Sequence, residues 1–194
     1  RVSVVGPQVV QTHRYAVLDL DARARQASAD SDDYDQLSER GYLQARLLGE
    51  QWAAEGLEPH SVYVGPRKRH HQTAATLASE LDSAWPEPVC QDGWDEHDAY
   101  DIVMHSIPIL AERDPYVAER AERYRGSDRE ARVAYFELYR HITRLWVLGE
   151  VDLDGTRFEP WPEFRRRVDA ALSEVIEREG RGRTTVVVTS SGPV

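Results

Sequence analysis

Charged and hydroxyl side chains gather in four segments that directly follow short apolar runs. These segments are residues 23–28 (RARQAS), 65–74 (GPRKRHHQTA), 92–98 (DGWDEHD) and 189–193 (TSSGP). In parallel α/β sheets, ligands bind at the carboxyl ends of the strands. The planar guanidinium group of arginine fits phosphate-like oxygens, and the helix that opens at Pro66 adds its N-terminal dipole. The four segments therefore predict a site for a compact anion.

The elements that must position these segments alternate between short apolar runs and long amphipathic stretches. Residues 16–20, 61–64 and 184–189 are predicted strands, and the last one (TTVVVT) is typical of a strand that is buried on both faces. Such alternation is typical of an α/β domain with a mostly parallel sheet. We predict a three-layer α/β/α sandwich with a helical insertion at about 101–150.

The first two predicted helices precede and follow the second strand. Ser38 is the expected N-cap of the first, with Leu37 packed on its first turn. The expected apolar face of this helix consists of Leu43, Leu47, Leu48 and Trp52. The second helix is predicted over residues 67–81, with Pro66 at its start.

Three further helices are predicted in the second half of the chain. Two lie between residues 114 and 148, with a break at 126–128, and their aromatic stripe is interpreted as core. The last begins at Trp161, is expected to bury Phe164, Val168, Ala171, Leu172 and Val175, and ends at Gly180.

Composition excludes several classes of protein. The chain has 194 residues, a formal net charge of −10 and one cysteine, Cys90. A disulfide framework and a cysteine-rich zinc site are therefore excluded. Net acidity argues against general binding to nucleic acid or anionic membrane. No apolar run approaches the roughly 20 residues of a membrane span and no signal peptide is evident, so we expect a cytoplasmic protein.

Two further sequence features argue against a metal site and exclude one class of nucleotide enzyme. His70 and His71 are adjacent on a predicted helix and point in different directions, which argues against a metal site. The chain has no Gly-x-x-x-x-Gly-Lys loop, so a P-loop nucleotide enzyme is excluded. We expect no metal and no organic cofactor.

Two short motifs occur in a characteristic order along the chain. Residues 37–45 read Leu-Ser-x-x-Gly-x-x-Gln-Ala and residues 69–74 read Arg-x-x-Gln-Thr-Ala. They are followed by Trp94-Asp95-Glu96 and by a Trp-Pro-Glu-Phe-x-x-Arg-Val run at 161–168. From about Gln26 to Val194 the chain resembles the histidine phosphatase superfamily, whose fold is also called phosphoglycerate-mutase-like.

The resemblance implies covalent phosphoryl transfer. In the family, a histidine in an Arg-His-Gly loop attacks phosphorus, an acid protonates the leaving oxygen, and water or a second substrate removes the phosphoryl group. By this resemblance Arg23, Arg69 and Ser190 bind phosphate, and Glu96 is the candidate proton donor. The nucleophile position is occupied by Ala24, whose methyl group cannot accept a phosphoryl group.

Two more positions depart from the family pattern. Arg25 stands where the family has the glycine of its Arg-His-Gly loop, and Ser190 replaces the second histidine, in the loop after the final strand. Three interpretations stay open: a phosphomonoester hydrolase, a non-catalytic protein that binds a phosphorylated ligand, or a damaged copy of an active phosphatase. A phosphatase is preferred to a mutase because the chain is short for a mutase. His70 or His71 is not expected to replace the lost nucleophile.

The same reasoning divides the chain into an extension with a possible first strand (1–22) and a histidine-phosphatase-like domain (23–194). The domain is expected to lack its C-terminal part after Val194. The expected partner is a small phosphorylated substrate or a phosphate-like anion, with no nucleic acid and no membrane. The substrate and the oligomeric state are not encoded in any pattern that we can read.

Overall fold

A sheet of four parallel strands forms where the sequence carries short runs of β-branched residues. In the computed structural model, which describes residues 14–18, 35–81, 85–126 and 129–193, the strands are β1 (Arg14–Leu18), β2 (Ser61–Val64), β3 (Val89–Cys90) and β4 (Thr184–Val188). Their order across the sheet is β1-β4-β2-β3. Leu18 and Val64 both pair with Val188, so β1, β2 and β4 end together. We call this side the carboxyl end of the sheet.

The described part of the chain contains six α-helices and one short 3-10 turn (Asp92–Trp94). The helices are α1 (Glu39–Ala54), α2 (Lys68–Glu80), α3 (Ala99–Ala111), α4 (Pro115–Tyr124), α5 (Arg129–Val147) and α6 (Trp161–Glu179). The chain divides into two compact units, Arg1–Glu96 with Arg167–Val194, and His97–Arg166.

Alternating strand residues build a separate apolar core on each face of the sheet in the first unit. Val62, Val64, Val186 and Val188 pack with residues of α1 and α2, namely Leu48, Trp52, Ala74 and Leu77. On the other face, Tyr63 and Val187 pack with Trp94 and with Ala171 and Val175 of α6. The predicted three-layer α/β/α sandwich with a parallel sheet is confirmed.

The first strand begins two residues earlier than predicted. It covers Arg14–Leu18, and its register places Arg14 opposite Thr184. Sheet pairing uses backbone groups that every non-proline residue carries. A polar residue can therefore be the first residue of a strand, although the hydropathy pattern predicts a later start. The end of the predicted strand, residues 19–20, lies outside the described residues.

The apolar faces of α1 and α6 differ in part from the prediction. Leu43 and Leu47 are exposed, and α1 instead buries Gly41, Ala45, Leu48, Gly49 and Trp52. In α6, Leu172 is exposed, whereas Phe164, Ala171 and Val175 are buried. Helix α1 makes close contacts with α2 through small residues, and helical spacing among large residues cannot reveal a face built from glycine and alanine.

The second unit is helical. Its core joins α3, α4 and α5 through five buried side chains: Val103, Leu110, Val117, Leu138 and Ile142. The predicted pair of helices on either side of residues 126–128 is present as α4 and α5, whereas sequence analysis assigned no element to α3. Asp114 caps α4, and its pKa is lowered by a hydrogen bond from His141 and by backbone N–H groups.

Membrane-spanning helices and clusters of metal-binding side chains are both absent from the described residues. No helix among them is long and apolar enough to cross a membrane. No group of three or more histidine, cysteine, aspartate or glutamate side chains in that part of the chain is arranged to hold a metal ion.

Candidate functional site

Arg69 lies in the first turn of α2, just beyond the end of β2. The residue is only 6% exposed. Its Nη1 donates to Asp35 Oδ1 at 2.8 Å, and its Nη2 donates to Ser190 Oγ at 2.9 Å. A guanidinium group that is held at both terminal nitrogens is oriented before any ligand arrives, which lowers the entropic cost of binding.

Asp35 supplies the counter-charge of Arg69 and also satisfies backbone groups at the start of α2. Its Oδ2 accepts the N–H of Lys68 at 2.9 Å, and its carbonyl oxygen accepts the N–H of Arg69 at 3.0 Å. A carboxylate at a helix N-terminus is favoured by the helix dipole. Sequence analysis did not select Asp35 as a site residue, because an aspartate in an acidic stretch carries no signal of its own.

Ser190 follows β4 by two residues and is fully buried. Its hydroxyl oxygen receives the N–H of Arg69 Nη2 and lies 2.8 Å from His70 Nε2. The preceding residue, Thr189, donates its hydroxyl to the carbonyl oxygen of Trp94. This contact ties the segment after β4 to the segment after β3, so two of the predicted site segments are directly joined.

His70 is a site neighbour that sequence analysis considered and set aside. The residue is only 2% exposed, whereas His71 beside it is exposed. A Cβ atom built at Gly65 would overlap His70 Nδ1 and the carbonyl oxygen of Trp94. The imidazole therefore packs directly against the backbone at the end of β2, in a space that only glycine leaves open.

Glu96 is a buried carboxylate at the same end of the sheet. It is 7% exposed, and its Oε2 accepts the N–H of Gly192 at 3.4 Å. Its carbonyl oxygen accepts a hydrogen bond from Arg67 Nη2 at 3.2 Å. Arg67 also pairs with Asp95 through its Nε. These contacts fix the glutamate two residues beyond the 3-10 turn.

Arg167 of α6 holds the 3-10 turn that precedes Glu96. Its Nη1 lies 3.0–3.1 Å from the carbonyl oxygens of Asp92, Gly93 and Asp95. Arginine cations near the last carbonyls of a turn are favourable because those oxygens have no partner within the turn. The three consecutive arginines 165–167 differ in their surroundings. Arg165 and Arg166 are exposed and Arg167 is the paired one.

Of the sequence-predicted site residues, three come together. Arg69 and Ser190 are hydrogen-bonded to each other, and Glu96 contacts the backbone two residues after Ser190. Arg23 and Ala24 lie outside the described residues, so their predicted roles stay predictions. Asp35, which sequence analysis missed, contacts Arg69, and His70, which it set aside, contacts Ser190.

Three of the motif residues at 37–45 have structural roles that explain their types. Ser38 Oγ accepts the N–H of Gly41 at 3.1 Å, and a Cβ atom at Gly41 would overlap Leu37. Gln72 Oε1 accepts the N–H of Leu37 at 2.7 Å, which joins the two motifs. Both motifs therefore position the start of α2, where Arg69 lies.

The fold and its polar carboxyl end define a phosphoglycerate-mutase-like α/β domain. A phosphoglycerate mutase structure from Bacillus anthracis str. Sterne matches over 91% of this chain and 74% of its own, with a TM-score of 0.54 and 18% identity. The sequence profile of the histidine phosphatase superfamily (branch 1) matches residues 19–145, more than half of the chain. The chain belongs to the histidine phosphatase superfamily.

Two further solved structures match with lower TM-scores. The structure titled mycobacterial hydrolase 1 has 16% identity and a TM-score of 0.49, with 83% of this chain and 66% of that one covered. A mycobacterial glucosyl-3-phosphoglycerate phosphatase has 17% identity and a TM-score of 0.46, with 81% and 63% covered. This chain thus spans just under two thirds of the length of these two proteins. A sequence comparison with curated proteins gives no significant match.

Proposed function

We propose that this domain binds phosphomonoesters at the carboxyl end of its sheet, with Arg69 as the principal anion ligand. The observation that carries the proposal is the buried guanidinium group, held at one side by Asp35 and at the other by Ser190. A preoriented arginine in a poorly solvated position stabilises phosphoryl oxygens more strongly than one in water. Arg23 is the second proposed phosphate ligand, by its position in the family motif.

Glu96 is the proposed proton donor of the site. A proton donor must reach the leaving oxygen of the phosphate ester, and Glu96 lies in a buried position at the same end of the sheet as Arg69. Its loop is braced by Arg67 and Arg167, which supports a fixed position for the carboxyl group.

Ala24 decides what reaction this chain can perform. We propose that the chain as it stands binds a small phosphorylated ligand and does not form a phosphohistidine at position 24, because a methyl group is no nucleophile. Restoring a nucleophile would then convert a binding domain into a phosphatase. The proposal includes a cytoplasmic location, no cofactor, and a domain over residues 23–194 with a helical segment at about 101–150.

The test compares binding with turnover. Inorganic phosphate is titrated into the unaltered chain by calorimetry, and hydrolysis of an aryl phosphate is measured on the same preparation. We expect binding without turnover, and at least a tenfold loss of binding in Arg69→Ala, since removing a charged hydrogen-bond donor costs about 1.5–3 kcal/mol. Arg165→Ala, an exposed arginine on α6, is the control and should bind as the unaltered chain does.

The double variant Ala24→His with Arg25→Gly tests the interpretation of a damaged phosphatase. A gain of aryl phosphate hydrolysis, with a phosphohistidine trapped at position 24, would support it. Turnover by the unaltered chain would overturn the proposal that it only binds. An absence of phosphate binding by the unaltered chain would overturn the proposed site altogether.

A further inference from the structure

The hydroxyl group of Ser190 is shared by two buried side chains from the first turn of α2. Arg69 Nη2 lies 2.9 Å from Ser190 Oγ, and His70 Nε2 lies 2.8 Å from the same oxygen. All three residues are at most 6% exposed. A strand-end serine is thus placed between a cation and an imidazole that are consecutive in the sequence.

The donors and acceptors of the three groups allow one continuous chain of hydrogen bonds. Arginine is a donor only, so the Ser190 oxygen accepts from Arg69. A serine hydroxyl has one proton to donate, and His70 Nε2 accepts it when the imidazole carries its proton on Nδ1. In that tautomer the hydrogen bonds run from Arg69 through Ser190 to His70, and each one polarises the next.

The imidazole is held in the orientation that this chain requires. Its ring packs against Gly65, where a Cβ atom would overlap Nδ1. The backbone N–H of His70 donates to the carbonyl oxygen of Arg67 at 3.0 Å, so its helical position is fixed by the first turn of α2. The position of the ring therefore follows from β2 and α2 and does not depend on Ser190.

We propose that His70 is a positioning residue of the anion site, which acts through Ser190 to aim the guanidinium group of Arg69. This inference rests on the proposed function, because it assumes that Arg69 binds the anion. The imidazole accepts the Ser190 hydroxyl proton, and the serine lone pair is thereby directed at Arg69 Nη2. Asp35 holds the other terminal nitrogen, so the guanidinium plane is set from both sides.

A double-mutant cycle on the binding of inorganic phosphate tests this inference. We expect His70→Ala and Ser190→Ala each to weaken binding about tenfold, which corresponds to about 1.4 kcal/mol. Because His70 acts through Ser190, adding His70→Ala to Ser190→Ala should weaken binding by less than about twofold. Independent, additive losses would overturn the inference, since a histidine that merely fills space would not need the serine.

Two further variants separate the hydrogen bond from the packing of the ring. His70→Gln places an amide oxygen within reach of the serine hydroxyl and should keep phosphate affinity within about threefold of the unaltered chain. His71→Ala changes the exposed neighbouring histidine of the same helix and should leave the affinity unchanged. A His70→Gln affinity as low as that of His70→Ala would overturn the inference.

A measurement on the unaltered chain keeps the test independent of how well the variants fold. The ¹⁵N resonances of the His70 ring, recorded with saturating inorganic phosphate, should show the proton on Nδ1 and an unprotonated Nε2. A proton on Nε2 would overturn the inference, because the serine hydroxyl would then have no acceptor in the imidazole. If the unaltered chain binds no phosphate, the proposed function fails together with the inference. Binding with a protonated Nε2 or additive losses overturns the inference alone.

Discussion

Gly65 is the residue at which the end of β2 leaves room for the imidazole of His70. The side chain of any other residue would begin with a Cβ atom in contact with the ring and with the Trp94 carbonyl oxygen. That oxygen also accepts the Thr189 hydroxyl, so a shift there reaches the segment of Ser190. At the scale of single residues, the proposed anion site depends on the absence of a side chain at Gly65 as much as on its charged groups.

Gly65→Ala is therefore expected to weaken phosphate binding and to destabilise the fold. Overpacking of a filled site typically costs about 1–3 kcal/mol, and the ring that contacts Ser190 must move. Gly49→Ala is the matched control, because its Cβ atom would crowd Glu80 on α2. It should lower the thermal midpoint and leave phosphate affinity unchanged. Calorimetric titration and thermal unfolding of both variants measure the two effects, and unchanged binding by Gly65→Ala would contradict the expectation.

At the scale of elements, the site is set by how α2 begins. Gln72 joins the start of α2 to Leu37, and Ser38 caps α1 one residue later. Helices α1 and α2 also pack closely at Gly49, where a Cβ atom would crowd Glu80 and the carbonyl oxygen of Leu77. The family motif at residues 37–45 thus mainly holds the start of α1 against α2.

Ser38→Ala is expected to destabilise the first unit by about 1 kcal/mol, the usual cost of losing a serine N-cap. The Gly41 N–H loses its acceptor, and Ser38 is nearly buried, so water replaces the hydroxyl poorly. Ser173→Ala, at an exposed position within α6, is the control and should change stability little. Urea unfolding followed by circular dichroism measures the difference. An equal effect of both variants would mean that the cap contributes nothing.

At the scale of the whole first unit, a second polar cluster lies at the opposite end of the sheet from the anion site. Tyr63 donates its hydroxyl to Glu179 Oε1 at 2.6 Å, and Ser61 contacts Thr185 at 2.9 Å. Burial and the nearby carboxylate raise the pKa of Tyr63 to about 12. Burial acts to raise the pKa of Glu179, but hydrogen bonds from Tyr63 and Ser61 and two arginine charges outweigh it, so that pKa lies below its usual value of 4.5.

Glu179 therefore stabilises the fold as an ion, and its contribution depends on pH. A lowered pKa adds stability above about pH 4.5, and this stability is lost as the pH falls through the folded-state pKa. Tyr63 stays protonated throughout this range and keeps donating. Glu179→Gln is expected to cost about 1.5–3 kcal/mol at neutral pH, as for a hydrogen bond to a charged group, and progressively less in acid.

Urea unfolding at a series of pH values checks this expectation. Glu177→Gln makes the same charge change at an exposed position of the same helix and should cost little at any pH. The free energies of unfolding of the unaltered chain and of Glu179→Gln should approach each other as the pH is lowered below 5. A constant difference would contradict the assigned direction of the pKa shift.

Local patterns predicted much of the fold, because they depend on chemistry that neighbouring residues carry. The valine run of β4, the apolar β2, the Ser38 cap and the glycine after α6 were each readable, and Gly180 has a positive φ of 69°. The predicted burial of Leu43, Leu47 and Leu172 was wrong. Helical spacing shows that one face of a helix is apolar, but it does not show which element packs against that face. Helix α3 lies largely within the predicted helical insertion but was not assigned separate bounds, and Pro108 lies within it.

By itself the sequence determined the family, the parallel α/β class and the choice of Arg69, Ser190 and Glu96, because these rest on residue types at fixed spacings. Only the tertiary structure revealed that Asp35 and His70 complete the surroundings of Arg69 and Ser190. Ser190 and His70 are 120 residues apart, and no local pattern encodes a contact made when β4 inserts between β1 and β2. The pairing of strands brings these groups within hydrogen-bond distance. Burial then strengthens their mutual hydrogen bonds, because the protein interior has a lower dielectric constant than water.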